Sequence, residues 1–467
     1  MDHFPRLEKK EMPRVPSLGK VIGVGIVVMG LAMGTGELIL WPHLVTKYGI
    51  HFLWFAIVGI TAQYFINHEI ARYTISTGES FFTASGRILK WSPIFWFFSA
   101  ILLYIWPGWA GAIGTTLREL FGFGTYLGWA WATLGLVLLF TFLGKIAYIV
   151  LEKTLKIIVP TFFVMLVGIT VLNVGAEHWR EVLFGFSNIG TIPNDIDINT
   201  LLSAIVFAGA GGMLNLCVSL WYRDKKVGMG LYAGRIENPI TGKEEAVSAS
   251  GFTFDMTDEN LLRWKKWMRF MRIDQGIIFL LFGAITLVLL SVNAYAVLTP
   301  MGLIPEGFDI AVVQAHIFGA QFGEFGFMLF LVMAFLMLFS VMWTVIDALT
   351  RMISDIIYTN ARIGPLQNIF LWAKDISIGK LYYGIIVLVV LLGAILVPMK
   401  QPLSLLMISA VLGGISMAIY TPIIIYINNK KLPKELRPGI VINLIMASIS
   451  VFFIFFAIRV VVEQFFV

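Results

Sequence analysis

Apolar runs of roughly 20 residues or more recur along this 467-residue chain, and we count eleven of them. They lie near 21–47, 52–74, 93–117, 126–144, 147–174, 200–221, 274–298, 324–350, 380–398, 402–427 and 438–462. A hydrocarbon layer of about 30 Å demands helices of that length, because a spanning segment must satisfy its own backbone N–H and C=O groups. Apolar residues make up 58% of the chain and charged residues 13%, which excludes an ordinary soluble domain. The expectation is an all-α integral membrane protein, with the lipid bilayer as its surroundings and no signal peptide, since largely polar residues precede the first run.

Charge placement sets an orientation. With the N-terminus cytoplasmic, 27 of the 34 Lys and Arg residues fall on inner segments and five on outer ones. The positive-inside rule then places the 1–20 tail inside and the C-terminus outside, in a multi-pass protein of the plasma membrane. The net charge of +6 follows from this asymmetry and calls for no nucleic-acid partner. The lone cysteine, Cys217, lies within the sixth run and reads as a small packed hydrophobe.

Two runs are interrupted by glycine. The first passes from Val21–Met33 through Gly34-Thr35-Gly36-Glu37 to Leu38–Val45, and the second from Leu201–Phe207 through Ala208-Gly209-Ala210-Gly211-Gly212 to Met213–Trp221. Unwound backbone in hydrocarbon costs several kcal/mol per unsatisfied group, so it persists where it lines a cavity and binds something. Paired interruptions at corresponding places in two halves mark a secondary transporter site. Five runs separate the entries of runs 1 and 6, so the two halves have opposite topology. The organisation expected is a first repeat over 21–174, a second over 200–427, and an added helix at 438–462. Small residues in tight helix–helix contact are the duller account of both glycine stretches.

Glu37 is the sharpest single residue. A mid-bilayer carboxylate is a functional-site hypothesis by default. After a Gly-Thr-Gly break it opens a half-helix, where the dipole favours its charge and the carbonyls of 33–36 lie beside it. Asn215 follows the second break and adds an amide oxygen, with Thr35 and the carbonyls of Ala208, Gly209, Gly211 and Gly212 nearby. An all-oxygen pocket suits a hard divalent cation or a proton, so Glu37 and Asn215 are the candidate metal ligands. A plain cap on a broken helix is the bland reading of Glu37. At the inner end, His68, Glu69 and Arg72 cluster in the second run. Asp347, Arg351 and Asp355 share one helical face in the eighth, and together these are candidates for an inner gate or proton pathway. Interfacial anchoring is the alternative.

The long polar segment 222–272 closes on an amphipathic stretch from Asp258 to Arg269 with interleaved Trp and Lys. It reads as a cytoplasmic connector or as a helix lying on an anionic membrane face. The outer loop 299–322 holds no Lys or Arg and is a candidate cover for the outer vestibule. No zinc spacing and no Walker A sequence appear, so no enzyme and no resident cofactor are expected.

These residues resemble the Nramp family of divalent metal transporters. The family's first helix carries Asp-Pro-Gly-Asn, followed by an aromatic-Gly pair and then Leu-Trp. Here Gly34-Thr35-Gly36-Glu37 is followed at the same spacing by Tyr48-Gly49 and then Leu53-Trp54. Gln63, Ala71-Arg72, Thr77-Gly78-Glu79 and Leu151-Glu152-Lys153 extend the likeness along the chain. The resemblance implies a LeuT-type 5+5 inverted repeat with helices 1 and 6 broken, and proton-coupled or passive cation uptake. It also exposes departures. Gly34 and Glu37 stand where the family has its metal-binding Asp and Asn, and Gly212-Met213-Leu214-Asn215 aligns with its Met-Pro-His-Asn. Transport of a hard cation such as Mg²⁺ or Mn²⁺, with H⁺ a candidate coupling ion, is therefore the expected function. Transport of a small organic solute such as an amino acid is a second reading, and a non-transporting sensor or scaffold a third.

Overall fold

The computed structural model describes residues 4–144, 146–240, 247–307, 309–399 and 402–466, with the Thr35 side chain outside the description. Lys145, Lys400 and the Thr241-Gly242 turn, all used in the topology reading, lie outside the described residues as well. The long helices are α1 Val24–Tyr48, α2 Trp54–Thr77, α3 Ser92–Phe121, α4 Tyr126–Leu143 and α5 Ala147–Asn173. Next come the two halves of α6, Ile198–Val206 and Cys217–Asp224. They are followed by α7 Asp258–Leu298, α8 His316–Arg362, α9 Ile378–Leu396, α10 Pro402–Lys430 and α11 Ile440–Phe466.

Among the described residues nine helices are long and apolar enough to cross a membrane, against the eleven expected. The two that fall short do so for a chemical reason. The α2 helix carries Gln63, Asn67, His68, Glu69 and Arg72, all buried, and α6 is split into pieces of nine and eight residues. Both sit inside the bundle. Their polar groups face protein, where partners exist, while α4, α5, α9 and α11 present Leu139, Val164, Val171, Leu391, Ile395, Val451 and Phe455 outward as a lipid-facing belt.

Two expectations for the 222–272 segment are corrected. The tryptophan face of its last helix packs on protein, not on lipid. Trp264, Trp267, Met268 and Met271 are buried, and Trp264 donates from its indole to Ser76 of α2 (2.9 Å) while Trp267 donates to the Pro13 carbonyl (2.9 Å). Nor does it end before the seventh span. The helix runs on from Asp258 to Leu298 through a wider π-helical stretch at Asp274–Phe282. The N-terminal tail completes this layer. Glu8–Lys9 pairs in parallel with Phe252–Thr253, Met12 is fully buried, and the Met12 N–H donates to Asn260 (3.1 Å).

Candidate functional site

The first glycine interruption does not unwind. Residues Met33–Leu40 form a π-helix that joins the α-helical turns on either side, and Trp41 N–H bonds to the Gly36 carbonyl five residues back. The expected free carbonyls of Gly34, Thr35 and Gly36 are thus engaged in an i→i+5 ladder, and Glu37 lies inside a continuous helix rather than at a half-helix start. The glycines serve close approach instead. A Cβ on Gly36 would lie 1.4 Å from the Phe207 carbonyl oxygen of α6, and one on Gly34 would lie 2.3 Å from Val341 of α8. Tight packing, the duller account of these two glycines, is what they do.

The second interruption is a true gap. The α6 helix stops at Val206, the chain turns through 207–211, and a short 3-10 turn at Gly212–Leu216 leads into the second half. Gly211 (φ +88°) and Gly212 (φ +54°) take the left-handed conformations that L side chains resist. The freed backbone is gripped from three sides. Gln63 of α2 donates to the carbonyls of Ile205 (3.1 Å) and Val206 (2.8 Å) and accepts from Gly211 N–H (3.2 Å). Tyr104 of α3 donates to the Gly211 carbonyl (2.9 Å) and accepts from Leu214 N–H (2.9 Å), and Tyr420 of α10 donates to the Gly212 carbonyl (2.8 Å). A Cβ on Gly209 would meet Gln63 at 2.5 Å, and Ala208 packs against Gly59 of α2.

Two polar side chains are left over. Glu37 is fully buried, and among the described residues neither carboxyl oxygen is paired in ordinary hydrogen-bond geometry; its polar neighbour is the Thr286 hydroxyl of α7, which donates to the carbonyls of Phe282 and Gly283. Among the described residues no other carboxyl group has both oxygens buried and unpaired. It points to α2 and α7: Oε1 comes within 3.9 Å of the position a Cβ would take on Gly283, and Ile60 reaches the same position at 2.9 Å. Asn215 is also fully buried, just past the α6 gap, with both amide atoms unpaired in ordinary geometry among the described residues and the Tyr420 hydroxyl as its polar neighbour. The two expected ligands are thus each unsatisfied, and their nearest neighbours differ. Among the described residues no group of three or more His, Cys, Asp or Glu is placed to hold a metal ion.

The inner candidates fall into two clusters rather than one. His68 Nδ1 (2.8 Å) and Arg72 Nε (3.0 Å) meet Glu69, which also accepts from Asn428 of α10 (2.8 Å). The second cluster spans α6, α8 and α9. Arg351 bonds Asp347 (2.6 Å) and Asp224, Arg223 bonds Asp355 (2.5 Å), and Asp347 accepts from Tyr382 and Trp221. All five charged residues of this chain of ion pairs are nearly inaccessible. The shared α8 face of Asp347, Arg351 and Asp355 was legible from their spacing. Their partners Arg223 and Asp224, in the Arg-Asp-Lys run that ends α6, carried only the signal of three charges beside an apolar run. Just past α6, Lys225 bonds Glu152 (2.6 Å), and burial pulls its ammonium below the usual lysine range while the carboxylate opposes.

Two further residues escaped the sequence. Asp274, at the start of the π-helical stretch of α7, accepts from Gly23 N–H (2.9 Å), Gly25 N–H (2.8 Å) and the Tyr222 hydroxyl (2.9 Å), capping α1 from another helix. Gln314, in the outer loop 299–322, donates to the Leu38 carbonyl inside the α1 π-helix. His43, farther along α1, meets the Pro305 carbonyl (2.9 Å), so this loop folds over the C-terminal part of α1.

This architecture has solved counterparts. A mutant form of the manganese transporter of Eremococcus coleocola aligns over 99% of this chain and 90% of its own, with a TM-score of 0.68 and 13% identity. MhsT in complex with L-phenylalanine aligns over 99% and 100%, with a TM-score of 0.57 and 13% identity. Mhp1, a nucleobase-cation-symport-1 family transporter, aligns over 99% and 96%, with a TM-score of 0.50 and 13% identity. The chain has the LeuT-type transporter fold. No family model and no curated relative matches the sequence. In LeuT-type terms, the first interrupted helix is wound throughout and the sixth is open.

Proposed function

We propose that this chain is a multi-pass secondary transporter of a divalent metal cation, working by alternating access, with Glu37 as the principal ligand. One observation carries the reading. A carboxylate at the middle of α1, buried, with both oxygens unpaired among the described residues and only the Thr286 hydroxyl near it, costs several kcal/mol that the packing around it does not offset. Full-length likeness to a manganese transporter supports a metal as cargo. The donors at hand are oxygens, from Glu37, Asn215 and the gripped carbonyls of the α6 gap, with no thioether or imidazole among them. Such a set favours Mg²⁺ or Mn²⁺ over softer metals, with part of the hydration shell retained. The Asp347–Arg351–Asp224 and Arg223–Asp355 pairs would close the inner end and part when it opens, with H⁺ as the candidate coupling ion. The N-terminus then faces the cytoplasm and the membrane is the plasma membrane.

A second reading keeps the fold and exchanges the cargo for a small organic cation or amino acid. The dispersal of Glu37 and Asn215 among different neighbours favours it, as does the likeness to MhsT with its L-phenylalanine. Flux into liposomes separates the two. Saturable entry of Mn²⁺ or Mg²⁺ with wild type, lost in Glu37→Gln while the variant stays monodisperse, establishes the metal reading. Absence of cation entry from folded wild type overturns it. Thermal stabilisation by an amino acid in the same preparation would then establish the second.

A further inference from the structure

Buried cations at the Lys- and Arg-rich end of this bundle are matched to carboxylates: Arg72 to Glu69, Arg87 to Glu79, Arg223 to Asp355, Arg351 to Asp347, Lys225 to Glu152. The cations around one hollow at that end, Lys265, Arg272 and Arg437, are exposed and have no such match. A cavity of about 340 Å³ opens between α2, the first turns of α7 and the chain entering α11. On α7, Lys265, Met268 and Arg272 line it at i, i+3 and i+7, one helical face. On α2, Tyr64, His68 and Arg72 line it at i, i+4 and i+8. Arg437 and Gly439 close it from the side of α11.

Three of these cations have no carboxylate partner among the described residues. Arg272 and Arg437 spend their Nε–H groups on the carbonyls of Met268 (3.3 Å) and Leu432 (2.9 Å), which holds each guanidinium by its base and leaves its outer nitrogens free. The Lys265 side chain makes no hydrogen bond or ion pair among the described residues. Against them stands one acid in the lining, the exposed Glu435. Arg72, already paired, lies 5.9 Å from the Trp264 ring and forms the floor. An excess of positive charge around a hollow is self-repelling unless an anion or solvent fills it. The walls also hold aromatic rings, Tyr64, Phe65 and Trp264, on the same two helices as Arg72, Lys265 and Arg272. Rings and cations side by side are the pattern of a site at the boundary between water and hydrocarbon.

We propose that this cavity binds a phosphate anion, with Arg272, Arg437 and Lys265 as its donors. Guanidinium groups suit phosphate oxygens in paired geometry, and Lys adds a point charge. The volume admits a phosphodiester headgroup. Occupancy would bear on the gate region directly, because His68 and Arg72 in the wall hold Glu69, and Glu69 ties α2 to Asn428 of α10. The site stands independently of the cargo that the protein moves.

The test is thermal unfolding of the full-length protein in detergent. The probes are phosphatidylglycerol, phosphatidylcholine or inorganic phosphate, and the proteins are wild type and the Lys265→Gln/Arg272→Gln/Arg437→Gln variant. Each cation lost near an anionic group weakens binding roughly fivefold, so the triple variant binds about a hundredfold more weakly. A stabilising shift with phosphatidylglycerol alone, absent from the variant, assigns a lipid headgroup. The same shift produced by inorganic phosphate assigns a free phosphate. Equal shifts in wild type and variant, or none with either anion, overturn the proposal. Lys266→Gln/Arg269→Gln on the outward face of the same helix controls for bulk charge and should keep the full shift. Should the triple variant fail to match wild-type stability in phosphatidylcholine, Arg437→Gln alone, outside any helix, reads the same outcome at fivefold.

Discussion

Helix α1 and helix α6 meet at their glycines, and they treat the backbone in opposite ways. Through Met33–Leu40 the α1 backbone widens to a π-helix and keeps its ladder, so that what it offers to a ligand is a side chain, Glu37. Through 207–211 the α6 backbone lets go, and its carbonyls are taken up by Gln63, Tyr104 and Tyr420 from three other helices. A wound helix with an unpaired acid is a place where charge is stored. An unwound segment held by side chains is a place where the chain can bend. On the proposed function, the contrast places the charged ligand on α1 and the bending point on α6.

The largest expected effect tests their meeting point. A Cβ on Gly36 would lie 1.4 Å from the Phe207 oxygen, and that neighbour is backbone, which cannot swing aside. Gly36→Val should therefore force the two helices apart and destabilise the fold by roughly 3 kcal/mol or more. The measurement is the midpoint of thermal unfolding in detergent, with size-exclusion profile as a check. A variant as stable as wild type would mean that the helices are not in contact there, and the division of labour would lose its geometric basis.

Next comes the hinge. Gln63→Leu removes three hydrogen bonds from the α6 gap and leaves Val206, Ile205 and Gly211 groups unpaired, at a cost of about 2–4 kcal/mol. Uptake should fall with it, because the gap is then no longer held in one shape. Stability lost without any change in flux per folded molecule would make Gln63 a packing residue and nothing more.

Glu37→Leu sharpens the other half of the comparison by separating stability from function. Replacing a buried acid that has no partner by an apolar side chain of similar volume is neutral or stabilising by about 1–3 kcal/mol. Flux through the same variant should vanish. A loss of stability comparable to that of Gln63→Leu would show that Glu37 has a structural partner, and a packing role would replace the ligand role.

What the sequence made legible follows the same line. Apolar runs set the membrane class, and the spacing of Asp347, Arg351 and Asp355 set one helical face, because periodicity in a helix is local. The α6 gap was legible because five small residues in a row, three of them glycine, leave little to hold a helix. The α1 interruption was misread for a reason that lies in the partner helix. Gly34-Thr35-Gly36 resembles a break, yet its glycines answer Val341 and the Phe207 carbonyl, contacts made by residues 307 and 171 positions away. Asp274 and Gln314 were invisible for the same cause, since each satisfies a backbone group of α1 from more than 200 residues along the chain.

Gln314 yields the smallest effect, and it tests whether the π-helix of α1 needs outside help. A π-helical stretch in a membrane helix keeps its ladder but opens its carbonyls to a second donor, and Gln314 supplies one to Leu38 while also donating to Ile310 in its own helix (3.1 Å). Gln314→Leu removes that donor without touching a ladder bond, so the cost should be about 1 kcal/mol, near the usual value for a single hydrogen bond between membrane helices. The outer loop also loses its polar attachment to α1, which predicts faster amide exchange at residues 303–315 with little change in the bundle. If exchange rises instead through 33–40, the π-helix itself depends on Gln314. The loop would then be part of the α1 structure rather than a cover over it, and the contrast with α6, whose gap is held largely by side chains of other helices, would be one of degree.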